Sequence, residues 1–148
     1  MTGASTAGVS AERRDEMREV EDRVTRWAAG RRDVVGVLLV GSWARGTARA
    51  DSDVDLVVLT TEASRYAADD AWLREPALGE VIRVQAWGPI TEWRHVTASG
   101  LEVELNIGSP DWARTEPVDA GTRRVVSDGA RILHDPAGVL AELVRACA

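Results

Sequence analysis

The sequence predicts a single domain of mixed α/β class (α+β), in which a mixed β-sheet is flanked by helices. The chain has 148 residues, a length that suits one domain with a sizeable core. Two short apolar runs rich in β-branched residues, 34–41 and 54–60, are typical of buried strands. Segments with helical spacing of apolar residues lie on both sides of these runs, so helices and strands alternate along the chain.

The first nine residues are small and polar, and they predict a disordered tail followed by a folded domain over 10–148. Ser10 suits the N-cap of an amphipathic helix over 11–29, and Gly30 suits the position just after its end. The apolar residues that recur at helical spacing are Met17, Val20, Val24, Trp27 and Ala28. We therefore expect these side chains in the core.

The rest of the chain continues the mixed pattern after the strands at 34–41 and 54–60. The pattern predicts a helix over 61–75 with a Thr61 cap, a strand over 80–87, a hairpin over 90–108 turning at Ser99–Gly100, a helix near 119–127, a strand near 130–134 and a last helix opening at Pro136.

The composition narrows the class of function. Hydrophobic residues make up 45% of the chain and charged residues 28%, which is typical of a globular domain. The net charge of −6 argues against nucleic acid as the main partner. All 18 basic residues are arginines, so any cationic side chain that contacts a phosphate has to be Arg. The single Cys147 excludes an intrachain disulfide framework.

The expected location follows from two further patterns. The N-terminus has no apolar segment of the kind found in signal peptides. The longest apolar runs are too short to span a bilayer, so no membrane association is expected. We expect a cytoplasmic protein.

Two aspartates lie at the start of the second apolar run. In a strand, residues i and i+2 point to one face, so Asp53 and Asp55 project together while Val54 and Leu56 point into the core. Two carboxylates that close repel each other unless a cation lies between them or one takes a proton. A hard divalent ion such as Mg²⁺ prefers oxygen ligands and suits this pair.

A Gly-Ser turn ends the strand that precedes the aspartates. Gly41 permits backbone conformations and close approaches that a Cβ would forbid. The backbone N–H groups of this turn and the Ser42 hydroxyl suit an anion, and Arg45 is within reach of the same place. A phosphate-holding turn beside a metal-holding pair is the arrangement that phosphoryl-group transfer requires.

The stretch GSWARGTARADSDVDLVVL resembles the signature of the nucleotidyltransferase superfamily that includes DNA polymerase β. That signature is a hydrophobic strand, Gly-Ser, a spacer and then Asp-x-Asp within a second strand. The form ARG…SDVDL is most similar to the small prokaryotic nucleotidyltransferases, a group with antitoxin-type and aminoglycoside-modifying members. The resemblance covers about residues 36–60 and implies a single nucleotidyltransferase-type domain.

The resemblance also implies a third carboxylate on a later strand beside the first two. The segment LEVELNI offers Glu102 and Glu104, both on the strand face opposite Val103 and Leu105. We favour Glu104, because its hydrophobic neighbours match the setting of Asp55. Glu102 remains the alternative, since a slip in register would exchange the two.

The activity implied by the resemblance is transfer of a nucleoside monophosphate, AMP from ATP being the expected case, to a hydroxyl of a small-molecule or protein acceptor. Mg²⁺ or Mn²⁺ would be held by Asp53, Asp55 and Glu104, and the triphosphate by Gly41, Ser42 and Arg45. The alternative is a nucleotide-binding antitoxin or regulatory module that acts through a partner protein with little catalysis. A DxD glycosyltransferase would leave the Gly-Ser turn unexplained.

The acceptor is the open part of this interpretation. Only about forty residues follow Glu104, too few for the large helical acceptor-binding domain of many antibiotic-modifying relatives. We therefore expect a second copy of the chain, a toxin-like partner or another protein to contribute. Trp43 lies within the phosphate turn and is placed to cover a nucleotide. His95 and His134 lack the spacing of a zinc site.

Overall fold

A computed structural model describes residues 8–148, which form one six-stranded sheet with helices packed against it. The helices are α1 (Ala11–Ala29), α2 (Ser42–Arg45), α3 (Ala63–Ala68), α4 (Ala120–Ser127) and α5 (Val139–Cys147), and the strands are β1 (Val34–Val40), β2 (Val54–Thr60), β3 (Glu80–Trp87), β4 (Ile90–Val96), β5 (Glu102–Gly108) and β6 (Ala130–His134). Two short 3₁₀ helices cover Ala71–Arg74 and Pro110–Ala113.

The sheet is mixed, as the sequence predicts. Its strand order is β3-β4-β5-β2-β1-β6, in which β2 and β5 are parallel and every other neighbouring pair is antiparallel. The predicted hairpin is present, with β4 and β5 joined through the turn at Ser99–Gly100. The predicted fold class is confirmed.

Helix α1 follows its sequence pattern closely. Ser10 Oγ accepts a hydrogen bond from the Arg13 amide at 3.0 Å, and all five predicted apolar positions are buried. Gly30 closes the helix by donating its amide to the carbonyls of Arg26 and Trp27, with an ordinary negative φ of −88°. The predicted glycine stop is therefore present without a left-handed cap.

Most of the predicted tail, residues 1–9, lies outside the described residues. Gly8 and Val9 are described, and Val9 is only 8% exposed. It lines a small pocket together with Trp43 and Ala48. The packed part of the chain therefore includes Val9, one residue before the predicted boundary at Ser10.

The prediction of one helix over 61–75 is wrong. The segment forms α3, then breaks at Asp69, which adopts an extended conformation (φ −144°, ψ 133°), and resumes as the 3₁₀ helix Ala71–Arg74. The Asp69 carboxylate accepts the Ala71 amide at 2.9 Å, so its side chain competes with the helical backbone. The break lets Tyr66 and Trp72 both pack against Trp27 in the core.

The C-terminal elements lie close to their predicted places. Helix α4 and strand β6 match the predicted ranges to within one residue at each end. Helix α5 begins at Val139 instead of Pro136, because residues 136–138 form the turn that precedes it. Asp135 accepts the amides of Leu140 and Ala141 at 3.0 and 2.9 Å, which stabilises the first turn of α5.

The two faces of the sheet carry separate apolar clusters. Val37, Leu39 and Leu56 pack with α1 on one face, and Leu38 and Leu59 pack with α5 on the other. Along β2 the second face carries Asp55 before it reaches the apolar residues that α5 covers. The charged residues of the sheet therefore lie beside, and not under, the helices of that face.

Among residues 8–148, no helix is both long enough and apolar enough to cross a membrane.

His95 is a titratable side chain that lies within the apolar cluster on the α1 face of the sheet. It lies on the core face of β4 and is 1% exposed, with Nδ1 at 3.2 Å from the Val103 carbonyl oxygen. Its Nε2 is buried and has no hydrogen-bond partner within residues 8–148. Burial lowers the pKa of His95 from its ordinary value, because the charged imidazolium would lose its hydration.

The free energy of unfolding should therefore fall as the pH drops below about 6.5, where the unfolded chain takes up a proton that folded His95 refuses. His95→Gln removes this contribution, so the stability difference between wild type and variant should shrink from pH 8 to pH 5.5. Urea denaturation at both pH values measures it. A difference of equal size at both would mean that folded His95 titrates normally.

Candidate active site

The three predicted carboxylates lie together at one edge of the parallel strand pair. One oxygen from each of Asp53, Asp55 and Glu104 lies within 4.8 Å of the other two. The register of β2 and β5 sets Asp55 directly opposite Glu104, and Asp53 precedes β2 by one residue. The parallel pairing thus brings Glu104 next to two aspartates that precede it by 49 residues or more in the sequence.

Asp55 is the most constrained carboxylate of the group. Its Oδ1 atom is buried and accepts no hydrogen bond within the described part of the chain. Burial, together with the neighbouring charges of Asp53 and Glu104, raises the pKa of Asp55 to about 7. Burial also raises the pKa of Glu104. Keeping these carboxylates charged costs free energy in the folded protein, and a bound cation would offset that cost.

These residues fit a divalent metal ion. Mg²⁺ and Mn²⁺ take oxygen ligands, and this set of carboxylates offers three, of which Asp55 Oδ1 is buried and has no hydrogen-bond donor among the described residues. The alternative third ligand, Glu102, lies outside this group; its side chain is 44% exposed and bonds to Arg94.

Gly41 lies against Asp55, because the strand pairing sets Val40 opposite Asp55. The backbone of Gly41 has φ +80° and ψ −159°, a conformation that is essentially restricted to glycine. A Cβ at this position would lie 2.9 Å from Asp55 Oδ2. Both the backbone conformation and the contact require glycine here, and Ser42 follows at once as the first residue of α2.

Two other residues of the turn lie differently from the sequence-based expectation. The Arg45 guanidinium donates from Nη1 to Asp128 Oδ2 at 2.6 Å, next to β6, which flanks β1 on the side away from β2. Trp43 is partly buried and packs against the first core cluster. The structure therefore sets Gly41 and Ser42 beside the carboxylates, while Arg45 pairs with Asp128.

Sequence reasoning missed Arg94, which bonds to the acidic group. Its Nη1 donates to Asp53 Oδ2 at 3.0 Å and to Glu102 Oε1 at 2.6 Å, and its Nη2 donates to Glu104 Oε2. These carboxylates raise the pKa of Arg94 above its ordinary value, so it stays charged. The turn alone did not give this signal, because counting outward from Ser99–Gly100 pairs Arg94 with Leu105, whereas the observed register pairs Arg94 with Glu104.

Glu92 lies behind Arg94 on the same face of β4. Its carboxylate is 3% exposed and accepts hydrogen bonds from Arg83 at 2.6 Å and Trp87 Nε1 at 2.7 Å. Glu92 Oε2 also lies 3.6 Å from Arg94 Nε. A row of alternating charge, Arg83, Glu92, Arg94 and Glu104, thus crosses from the edge strand to the acidic group.

Neither histidine joins the site. His95 lies on the core face of β4, and His134 lies on β6, at the far side of β1. Among the described residues, the one group of three or more potential metal ligands is Asp53, Asp55 and Glu104.

The chain is similar in fold to several solved nucleotidyltransferases. A cytoplasmic RNA terminal U-transferase shares 19% identity with a TM-score of 0.52, over 68% of this chain and 30% of that one. The Cid1 poly(U) polymerase shares 20% identity with a TM-score of 0.49, over 68% of this chain and 32% of that one. A STING-associated cyclic-di-GMP synthase of Capnocytophaga granulosa shares 21% identity with a TM-score of 0.44, over 70% and 35%. This chain therefore spans about a third of the length of these structures.

No curated protein sequence matches the chain. The nucleotidyltransferase domain family, however, matches residues 14–104, more than half of the 148 residues. The matched span begins in α1, includes the Gly-Ser turn and both aspartates, and ends at Glu104. The chain belongs to the nucleotidyltransferase domain family.

Proposed function

We propose that this protein transfers a nucleoside monophosphate from a nucleoside triphosphate to an acceptor hydroxyl, with Asp53, Asp55 and Glu104 as its metal ligands. The observation that carries the proposal is the convergence of these three carboxylates within 4.8 Å, in a chain of the nucleotidyltransferase family. The buried, unpartnered Oδ1 of Asp55 supports it, since this atom is left for a ligand that the protein does not supply.

Gly41 and Ser42 are the groups we propose for the triphosphate. The Gly41 carbonyl accepts the amides of Ala44 and Arg45, which fixes the turn beside Asp55. The bare Cα of Gly41 lets a phosphate approach the backbone, and the Ser42 hydroxyl offers it a hydrogen bond. Arg45 would contribute only after leaving Asp128, to which it is bonded here.

The reaction follows from these positions. The acceptor oxygen forms a bond to the α-phosphorus while the bond from that phosphorus to the bridging oxygen breaks, so pyrophosphate leaves with the electron pair. A carboxylate takes the acceptor proton, and Glu104 suits this role because burial raises its pKa. Asp53, Asp55 and Glu104 would hold a divalent ion, which would supply positive charge for the phosphate oxygens in the transition state.

The proposed donor is ATP, and the proposed acceptor is a hydroxyl group. ATP is the donor that the sequence resemblance implies, and parallel titrations with UTP, GTP and CTP decide between the bases. The acceptor is a hydroxyl of a small molecule or of a protein. Incubation of the chain with α-labelled ATP, alone and with candidate acceptors, separates the two, because a protein acceptor retains the label after denaturing electrophoresis.

Nucleoside triphosphate should bind weakly in EDTA and at least about tenfold tighter with Mg²⁺ or Mn²⁺, because the acidic group repels an uncompensated triphosphate. Isothermal titration with and without EDTA measures this. Pyrophosphate release, measured in parallel, tests transfer itself. Equal affinity in both buffers would remove the metal from the proposal, and binding without transfer would mark a nucleotide-binding module.

Gly41→Ala should lower nucleotide affinity by about tenfold or more, because its Cβ displaces Asp55 Oδ2 and occupies the place of the phosphate. Gly46→Ala is the matched control. Gly46 also has a positive φ, +78°, but its Cβ would meet nothing within 4 Å. Both variants should lose stability by about 1 kcal/mol or more.

Melting temperature and affinity are measured together for both glycine variants and for Ser42→Ala. Gly41→Ala and Ser42→Ala should lose affinity, and Gly46→Ala should keep it. An equal loss of affinity in Gly46→Ala would mean that the glycines only form the turn.

The three carboxylates should differ in their effect on stability in EDTA. Asp55→Asn should raise the free energy of unfolding by roughly 1–3 kcal/mol, because it removes a buried charge without an ion-pair partner. Glu104→Gln should raise it by less, since the lost ion pair with Arg94 offsets part of what is gained by removing the buried charge. Chemical denaturation at pH 8 measures both.

Activity separates the candidates for the third ligand. Asp53→Asn, Asp55→Asn and Glu104→Gln should each abolish transfer, whereas Glu102→Gln should retain it, because Glu102 bonds to Arg94 without joining the three-carboxylate group. Loss of transfer in Glu102→Gln with retention in Glu104→Gln would exchange their roles.

A further inference from the structure

Arg94 bonds to two of the three carboxylates that would hold a metal ion. It donates to Asp53 Oδ2 at 3.0 Å and to Glu104 Oε2, two of the three carboxylates of the acidic group. Its side chain is 18% exposed, so these bonds are partly shielded from water. A metal ion cannot share these lone pairs with a guanidinium at full strength.

We propose that Arg94 is a competing internal cation: it holds Asp53 and Glu104 in the metal-free protein and has to release them when a metal ion binds. This inference rests on the metal site of the proposed function. Asp55, in contrast, has no bond to Arg94 and keeps an unpartnered buried oxygen, so it is the ligand available before Arg94 moves.

Two further acidic residues lie close enough to pair with Arg94 after it releases Asp53 and Glu104. Glu102 accepts a hydrogen bond from it at 2.6 Å, and Glu92 lies 3.6 Å from its Nε. Neither residue belongs to the three-carboxylate group. A guanidinium has five N–H donors in a planar fork, so it can give up two carboxylates and remain paired with the other two.

Glu92 is suited to keep Arg94 in reach. It is buried and fixed by Arg83 and Trp87, so its carboxylate does not move away to solvent. The released guanidinium would therefore stay between Glu92 and Glu102, which lie on either side of it along β4, without leaving the site. This keeps a positive charge beside the acids in both states and prevents them from repelling each other.

Competition of this kind lowers the apparent metal affinity by the fraction of molecules in which Arg94 has disengaged. Loss of the guanidinium should therefore tighten metal binding, the opposite of what a residue that helps to hold the metal would do. The metal-free protein should at the same time lose stability, because three carboxylates lose a shared counter-ion.

The test is a titration of the full chain with Mn²⁺ alone, followed by electron paramagnetic resonance, for wild type, Arg94→Met, Arg94→Lys and Arg131→Met. Arg94→Met should bind Mn²⁺ about tenfold tighter or more, and Arg94→Lys should lie between it and wild type, since a lysine cannot bond to several carboxylates at once. Arg131→Met is the control, because Arg131 lies on β6 and pairs with Glu21 of α1, outside the row of charges that leads to the acidic group. Its affinity should match wild type.

A second measurement on the wild type does not depend on the fold of Arg94→Met. In the NMR spectrum, the Nε–H signal of Arg94 is assigned by its absence from the spectrum of Arg94→Lys. Its chemical shift should change on addition of Mg²⁺, and the midpoint of this change should coincide with the midpoint of metal binding. The melting temperature of Arg94→Met should fall in EDTA and recover in saturating Mn²⁺.

The outcomes separate this inference from the proposed function. If the wild type binds Mn²⁺ and Arg94→Met binds it equally or more weakly, Arg94 does not compete and the inference is overturned. A metal-insensitive Arg94 signal in a wild type that binds Mg²⁺ overturns it as well. If neither wild type nor Arg94→Met binds Mn²⁺, the metal site itself is wrong, and this inference falls with it.

Discussion

The parallel register between β2 and β5 is the constraint on which the site depends. It sets Asp55 opposite Glu104, and the antiparallel pairing of β1 with β2 sets Val40, and so the Gly-Ser turn, beside Asp55. A slip of one residue would turn every acid of the group into the core and bring apolar side chains to the surface. The apolar residues that alternate with the acids, Val54 and Leu56 on β2 and Val103 and Leu105 on β5, are fully buried, so packing fixes the position of the charges.

Charge at this site is balanced by neighbours on the sheet and not by solvent alone. The alternating row from Arg83 to Glu104 gives each buried acid at least one cationic neighbour, with Asp55 as the exception. Asp55 therefore carries the largest electrostatic cost of the cluster, and it lies against Gly41. The sheet thus combines a stabilised set of charges with one carboxylate that gains most from a ligand.

Local patterns were sufficient to predict most of the fold, and alternation along a strand put Asp53 and Asp55 on one face. The third carboxylate was expected from the family resemblance, and alternation left both Glu102 and Glu104 as candidates for it. The structure differs where a side chain selects its partner over distance or competes with the backbone. Arg45 bonds to Asp128, 83 residues away, and Asp69 interrupts the helix predicted over 61–75. Arg94 was missed because its role depends on the register of the β4–β5 hairpin and not on its sequence neighbours.

The chain after residue 104 packs against the family-matched segment and bonds to it, as in the pairing of Asp128 with Arg45. Residues 14–104 contain the turn and the acids, yet β6 pairs with β1 directly before that turn, and Leu140 and Leu143 of α5 are fully buried under the same strands. The last forty or so residues are therefore part of one folding unit with the Gly41–Ser42 turn. Substitutions near β6 would therefore alter the conformation of that turn. A segment of residues 14–104 alone would not fold as a module that can be moved to another protein.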